Sequence, residues 1–251
     1  MAILTAWNKT VSYIASGHEA EFSGRSKEGL VFRRLGQNIS CLSPGIRVEL
    51  EVPFDRWRID LVGSSGAEHV AVEGKFKVRS DGAVPDNRKA AFLDLYKLEQ
   101  YVGSGWYSRG IFVWLTDEAA YLRKGTGDSA DFSTHDGRIC QPGSPLNARW
   151  CRNGMPLPLV LTQRYDFQWQ QISNSKWYSL VLTVSQRSLL SLITGKSTPA
   201  LPECFAAQIP QRRCRSGGSC KGNASPRSRL CGGGSQSLIL CNLLGWCCLL
   251  V

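Results

Sequence analysis

Residues 58–77 read RIDLVGSSGAEHVAVEGKFK, and the fold depends on how this stretch turns back on itself. Apolar residues alternate on both sides of a Ser/Gly-rich turn, the pattern of two paired strands. A hairpin symmetric about Gly66–Ala67 sets Asp60 opposite Glu73, Leu61 opposite Val72 and Ile59 opposite Gly74. Successive strand residues point to opposite faces, so Asp60, Glu73 and Lys75 share one face. Ile59, Leu61 and Val72 turn the other way, toward a core. Directly opposed strand residues lie about 5 Å apart. Two carboxylates at that separation repel each other, and a divalent cation is the simplest relief.

An Asp in one apolar strand, followed after twelve intervening residues by Glu-x-Lys in the next, resembles the PD-(D/E)XK nuclease superfamily. The resemblance spans residues 19–115 and is strongest at Asp60, Glu73 and Lys75. It departs before the Asp, where Ile59 stands in place of the Pro; Pro53 and Asp55 are nearby, but in the expected turn PFDRW. The resemblance implies an α/β fold, a central mixed sheet of four or more strands flanked by helices with a restriction endonuclease-like core. It implies metal-dependent hydrolysis of phosphodiester bonds in nucleic acid, with DNA ahead of RNA. Asp60, Glu73 and Lys75 would be the catalytic residues. Asp60, Glu73 and the backbone carbonyl of Gly74 would hold Mg²⁺, with Mn²⁺ as a substitute, and Lys75 would orient the attacking water or stabilise the charge that develops. An early helix in the family sometimes lends an acid, which points to Glu28, with Glu19 and Glu21 behind it. The helix after the Glu-x-Lys strand often carries polar residues near the site, here Asp94, Lys97 and Gln100. A solvated amphipathic face is the simpler reading of those three. Glu49 and Glu51 are further accessory acids, although strand-face acids are usually just exposed. A homodimer is compatible with all of this. The rivals are a nucleic-acid-binding or assembly module whose chemistry has lapsed, and a membrane-associated protein held by its apolar end.

Composition agrees with a polyanionic partner. The chain has 251 residues, a net charge of +10 and a pI near 9.3, which favours acidic ligands without specifying one. Half of the excess lies in residues 198–251, whose six basic residues face one acid, Glu203. Of ten cysteines, only Cys41, Cys140 and Cys151 precede Cys204, the usage of a reduced, cytoplasmic protein. The opening MAILTAWNKT lacks a basic region followed by an apolar core, so no signal peptide is expected.

Around the hairpin, residues 8–42 read mainly as helix. Ile46–Val52 alternates as a half-buried strand that Pro53 ends. Asp86 is the expected N-cap of a helix stopping near Gly103, with Ala91, Leu95, Leu98 and Val102 as its apolar stripe. GIFVWL at 110–115 is apolar throughout, as in an interior strand of a parallel pair. Strand, helix and strand then form a right-handed crossover. Residues 117–124 read as a short helix. Asp131, His135 and Asp136 fall in a polar loop; a His between acids invites a catalytic reading, against the simpler one that a long surface loop brings such residues together cheaply. Residues 157–161, 165–169 and 178–184 read as strands, and Tyr165, Phe167, Trp169, Trp177 and Tyr178 are weighed as base-stacking surfaces against core packing. Residues 185–195 close the domain as a short helix. Residues 1–196 form the domain, and 197–251, rich in Arg, Ser, Gly and Cys, read as a disordered tail. The final fifteen residues, SLILCNLLGWCCLLV, fall short of the roughly 20 that span a bilayer.

Overall fold

The computed structural model describes residues 2–24, 26–149 and 157–186. Helices α1 (Ala2–Tyr13) and α2 (Lys27–Leu42) precede three antiparallel strands, β1 (Arg47–Phe54), β2 (Trp57–Ser65) and β3 (Glu68–Lys77). Helix α3 (Val84–Gly103) crosses over to β4 (Arg109–Thr116), which runs parallel to β3. Five short strands follow: β5 (Arg138–Cys140), β6 (Pro145–Leu146), β7 (Leu159–Val160), β8 (Tyr165–Phe167) and β9 (Gln170–Gln171). Strand β10 (Tyr178–Ser185) then returns antiparallel to β4. The result is an α/β fold on a mixed six-stranded sheet ordered β1-β2-β3-β4-β10-β9. Among the described residues no helix is long and apolar enough to cross a membrane.

The hairpin takes the symmetric register: Leu61 pairs with Val72, Val62 with Ala71 and Ser65 with Glu68. The ladder stops at Leu61–Val72, and there the simple alternation fails. Ile59 packs in the core under α3, whereas Leu61 packs in the core under α1 and α2. The two were expected on one face. On β1, between the pairs Leu50–Leu61 and Val52–Ile59, Glu51 has a φ of 52°, so the edge strand is also irregular at this level. Such a local irregularity re-aims a side chain, and the one re-aimed is next to Asp60.

Each face of the sheet carries its own core. Leu61, Val72, Ile111, Val113 and Leu115 meet α1 and α2 on one side, and Ala71, Phe112, Trp114, Leu180 and Leu182 meet α3 on the other. Strand β4 is therefore apolar on every central residue because both of its faces are covered. Helix α3 starts at Val84 rather than at Asp86. Pro85 lacks an N–H and has a fixed φ, both of which suit a first helical turn. Asp86 consequently lies inside that turn, where its charge complements the helix dipole.

The outer side of α3 is covered as well. Phe132 and Phe167 pack on Phe92, and Trp169 packs on Trp114. Glu99 fastens this layer: its buried carboxylate accepts the N–H groups of Thr162 and Gln163 and the Tyr165 hydroxyl. A buried carboxylate needs such donors. Tyr165, Phe167, Trp169 and Trp177 are each at most 9 % exposed, so they are core residues and not stacking surfaces; Tyr178, half-buried, packs against the same core. Residues 119–122 form a 3₁₀ turn where a short helix was expected. Ser185 ends β10, and the expected closing helix and the tail from 197 lie outside the described residues.

Candidate functional site

Strands β2 and β3 part beyond the pair Leu61–Val72, with Trp57–Ile59 of β2 still paired to β1, which leaves one edge of β3 without a backbone partner there. Buried backbone N–H groups must find acceptors, and here carboxylates supply them in sequence. Gly74 N–H donates to Asp60 Oδ2 (3.0 Å), Phe76 N–H to Glu28 Oε1 (3.3 Å) and Val78 N–H to Asp81 Oδ2 (3.0 Å). Asp60 comes from β2 and Glu28 from the first turn of α2. In an extended strand the N–H and C=O of a residue point to the same side, so the Gly74 carbonyl faces this row too. Only glycine fits at 74, because a Cβ would stand 2.2 Å from the Val113 carbonyl oxygen.

On the α3 side, the carboxyl groups of Glu73 and Asp60 are near enough to act on each other's acidity. Glu73 is 2 % exposed, and Tyr101 O–H donates to its Oε1 at 3.1 Å. The Lys75 ammonium forms an ion pair with Asp94, and Asp94 also accepts from Lys97 Nζ at 2.8 Å. Asp94, Lys97 and Tyr101 are spaced i, i+3 and i+7 on α3, so one face of the helix meets Glu73 and Lys75 of β3. Three carboxylates here face two ammonium groups.

This charge imbalance sets the acidities. Burial, then the Asp94 charge, pushes Asp60 up to about 6, against the pull of Lys75 and the Gly74 N–H. Burial and then the charges of Asp60 and Asp94 hold Glu73 well above the usual carboxylate range. Burial opposes the charge on Lys75, yet Asp94, followed by Glu28 and Asp60, outweighs it and raises the ammonium pKa. Asp94 is the reverse case: burial would raise it, but Lys75 and Lys97 overcome that and lower it. The cluster is therefore short of positive charge at Asp60 and Glu73 and saturated with it at Asp94.

The other residues singled out in the sequence are placed as follows. Glu28 adjoins the site and pairs with Lys77 at 2.8 Å. Glu19 and Glu21 lie away from it, with Glu19 pairing with Lys176 and Glu21 accepting from the Tyr13 hydroxyl. Glu49 and Glu51 are exposed and pair with Arg47 and Arg58. Gln100 is exposed on α3, whereas Asp94 and Lys97 are not the solvated face expected of them. Asp131 and Asp136 accept the backbone N–H groups of Asn147 and Trp169, and His135 Nδ1 lies 2.8 Å from Ser133 Oγ, so this trio serves the loop's own structure.

No protein-family model, curated protein or solved structure matches this chain. Among the described residues no three His, Cys, Asp or Glu side chains form a group arranged to hold a metal ion. The donor set still suits Mg²⁺, which is commonly held by one or two carboxylates and keeps several waters. Asp60 has one oxygen engaged by Gly74 and Glu73 has one engaged by Tyr101, so each retains an oxygen for a cation. Asp94, occupied by two lysines, is not a ligand of this kind. A cleft of about 710 Å³ beyond the ends of β3 and β4, lined by Phe22, Arg79, Asp117 and Trp177 among others, includes none of Asp60, Glu73 or Lys75. Its lysines are already paired with its own acids. Tyr101 was missed by sequence reasoning; its i+7 spacing from Asp94 was the available signal.

Proposed function

We propose that this chain is a metal-dependent nuclease of the PD-(D/E)XK kind, with α2, β1 to β3, α3 and β4 as its restriction endonuclease-like core. It would hydrolyse phosphodiester bonds in nucleic acid, DNA in the first instance. The observation that carries this reading is the convergence of Asp60, Glu73 and Lys75 where β2 and β3 part, with two neighbouring carboxylates short of positive charge.

Asp60, Glu73 and the Gly74 carbonyl would hold Mg²⁺ or Mn²⁺. When bound, the ion supplies Lewis-acid polarisation of the phosphate and a more acidic water. The chain's own residues do the rest. Lys75, with its pKa raised, stays an ammonium at neutral pH and is unsuited to be a general base. Its part is electrostatic: it orients the incoming water and stabilises the charge that builds on the phosphoryl oxygens. Asp94 fixes where that ammonium sits. Attack by water breaks the P–O bond directly, and no covalent link to the protein forms.

A second reading has one observation in its favour. Both lysines are already paired with Asp94, as they would be in a nucleic-acid-binding or assembly module whose chemistry has lapsed. Purified protein incubated with plasmid and single-stranded DNA, in Mg²⁺, Mn²⁺ or EDTA, decides between them. Cleavage that needs the metal and is lost in Lys75→Ala supports the nuclease. Nucleic-acid binding without cleavage in any metal supports the module.

A further inference from the structure

Glu73 is the most enclosed carboxylate facing the proposed metal position, and a ligand so placed works only if its free oxygen points the right way. A buried carboxylate turns about its last torsion unless a partner fixes it, and partners of this sort are worth about 10–100-fold in metal affinity. Among the described residues the donor to Glu73 is the Tyr101 hydroxyl, 3.1 Å from Oε1. Tyr101 is fully buried, and its ring is wedged between Phe54 (4.8 Å), Tyr107 (6.1 Å) and Trp57 (6.2 Å between ring centres). The hydroxyl therefore has little freedom to move. It engages Oε1 and leaves Oε2 as the oxygen open to Asp60 and to a cation.

We infer that Tyr101 is a positioning residue: its hydroxyl holds Glu73 Oε1 so that the second oxygen is presented, together with Asp60, to a divalent cation. The inference rests on the nuclease reading only in supposing that a divalent cation binds between Asp60 and Glu73. Tyr101 itself touches neither the cation nor the phosphate.

The test is calorimetric titration of the full chain with Mn²⁺ alone, without nucleic acid. Tyr101→Phe removes one oxygen and keeps the ring contacts, so the fold should survive. Tyr107→Phe removes a hydroxyl from the same ring cluster without touching Glu73 and serves as the control. Tyr101→Phe is expected to weaken Mn²⁺ by about tenfold or more, while Tyr107→Phe stays within about twofold of wild type. Glu73→Asp draws the carboxylate back from the same bond, so adding Tyr101→Phe to it should cost far less than Tyr101→Phe costs alone. Equal Mn²⁺ affinity in Tyr101→Phe and wild type overturns the inference and leaves the nuclease reading standing. Absence of Mn²⁺ binding in the wild type overturns both. A Tyr101→Phe chain that fails to fold assigns the hydroxyl to the fold and likewise overturns the positioning role.

Discussion

Asp94→Asn tests how the two lysines are held. Asn keeps the shape of the side chain and removes its charge. Asp94 is 2 % exposed as a residue, and the side chains of Lys75 and Lys97 are 13 % and 16 % exposed. Breaking a buried ion pair from one side costs about 3–5 kcal/mol, since the surviving charge is left without its partner. Here Glu73 still faces Lys97, and Glu28 and Asp60 still face Lys75. The loss should therefore fall at the lower end, about 3 kcal/mol. For a domain of this size that lowers Tm by roughly 6–12 °C. The pH dependence has a definite sign. Asp94 has its pKa lowered by folding, so its contribution is complete above the ordinary carboxylate range, about 4, and disappears as pH falls through the folded value. The gap between variant and wild type should therefore be widest at neutral pH and close toward acid. Melting by circular dichroism over a pH series measures it. The exposed pair Arg164–Asp166, with side chains 53 % and 44 % exposed, is the control: Asp166→Asn should cost less than about 1 kcal/mol. An Asp94→Asn protein melting within about 2 °C of wild type at neutral pH would refute the view that Asp94 clamps Lys75 and Lys97.

Two further outcomes follow from the geometry. Gly74→Ala would place a Cβ 2.2 Å from a backbone oxygen, 2.7 Å from Val113 Cγ2 and 3.1 Å from Phe32 Cζ; with backbone on one side, the loss should be on the order of 3 kcal/mol in urea melts, and a loss below about 1 kcal/mol would contradict the close approach of β3 and β4. Asp60 is pushed up to about 6, so its favourable contribution is complete below its unfolded value, about 4, and is lost as pH rises through 6; metal-free Tm should decline over that window and decline less in Asp60→Asn, whereas parallel curves would show that Asp60 is not shifted.

What the sequence made legible was local and periodic. The hairpin register followed from a symmetric turn and from strand alternation, and it placed Asp60, Glu73 and Lys75 together without tertiary information. GIFVWL announced a strand covered on both faces because nothing in it is polar. The break between Ile59 and Leu61 was not legible, since it depends on where β2 leaves β3. Helix α3 misled for a related reason. Its stripe Ala91, Leu95, Leu98, Val102 marks one buried face, but residues 119–149 and 157–169 cover another, and that second covering is what buries Arg88, Lys89 and Glu99. Asp94 is buried against β3 instead, and polar residues at i, i+3 and i+7 read equally well as a solvated face until their partners on β3 are known. Tyr165, Phe167 and Trp169 alternate as stacking residues would, and only the packing on Phe92 and Trp114 assigns them to the core.

The central claim is that Glu73 is a carboxylate on which metal-dependent cleavage depends, and Glu73→Gln addresses it with almost no change of shape. The measurement is the initial rate of DNA cleavage by wild type and Glu73→Gln in saturating Mg²⁺, with EDTA blanks and melts showing that both are folded. Losing one of two anionic ligands should lower the rate by orders of magnitude, with DNA binding in EDTA unchanged or tighter because the site repels phosphate less. Cleavage by Glu73→Gln at the wild-type rate would contradict the account.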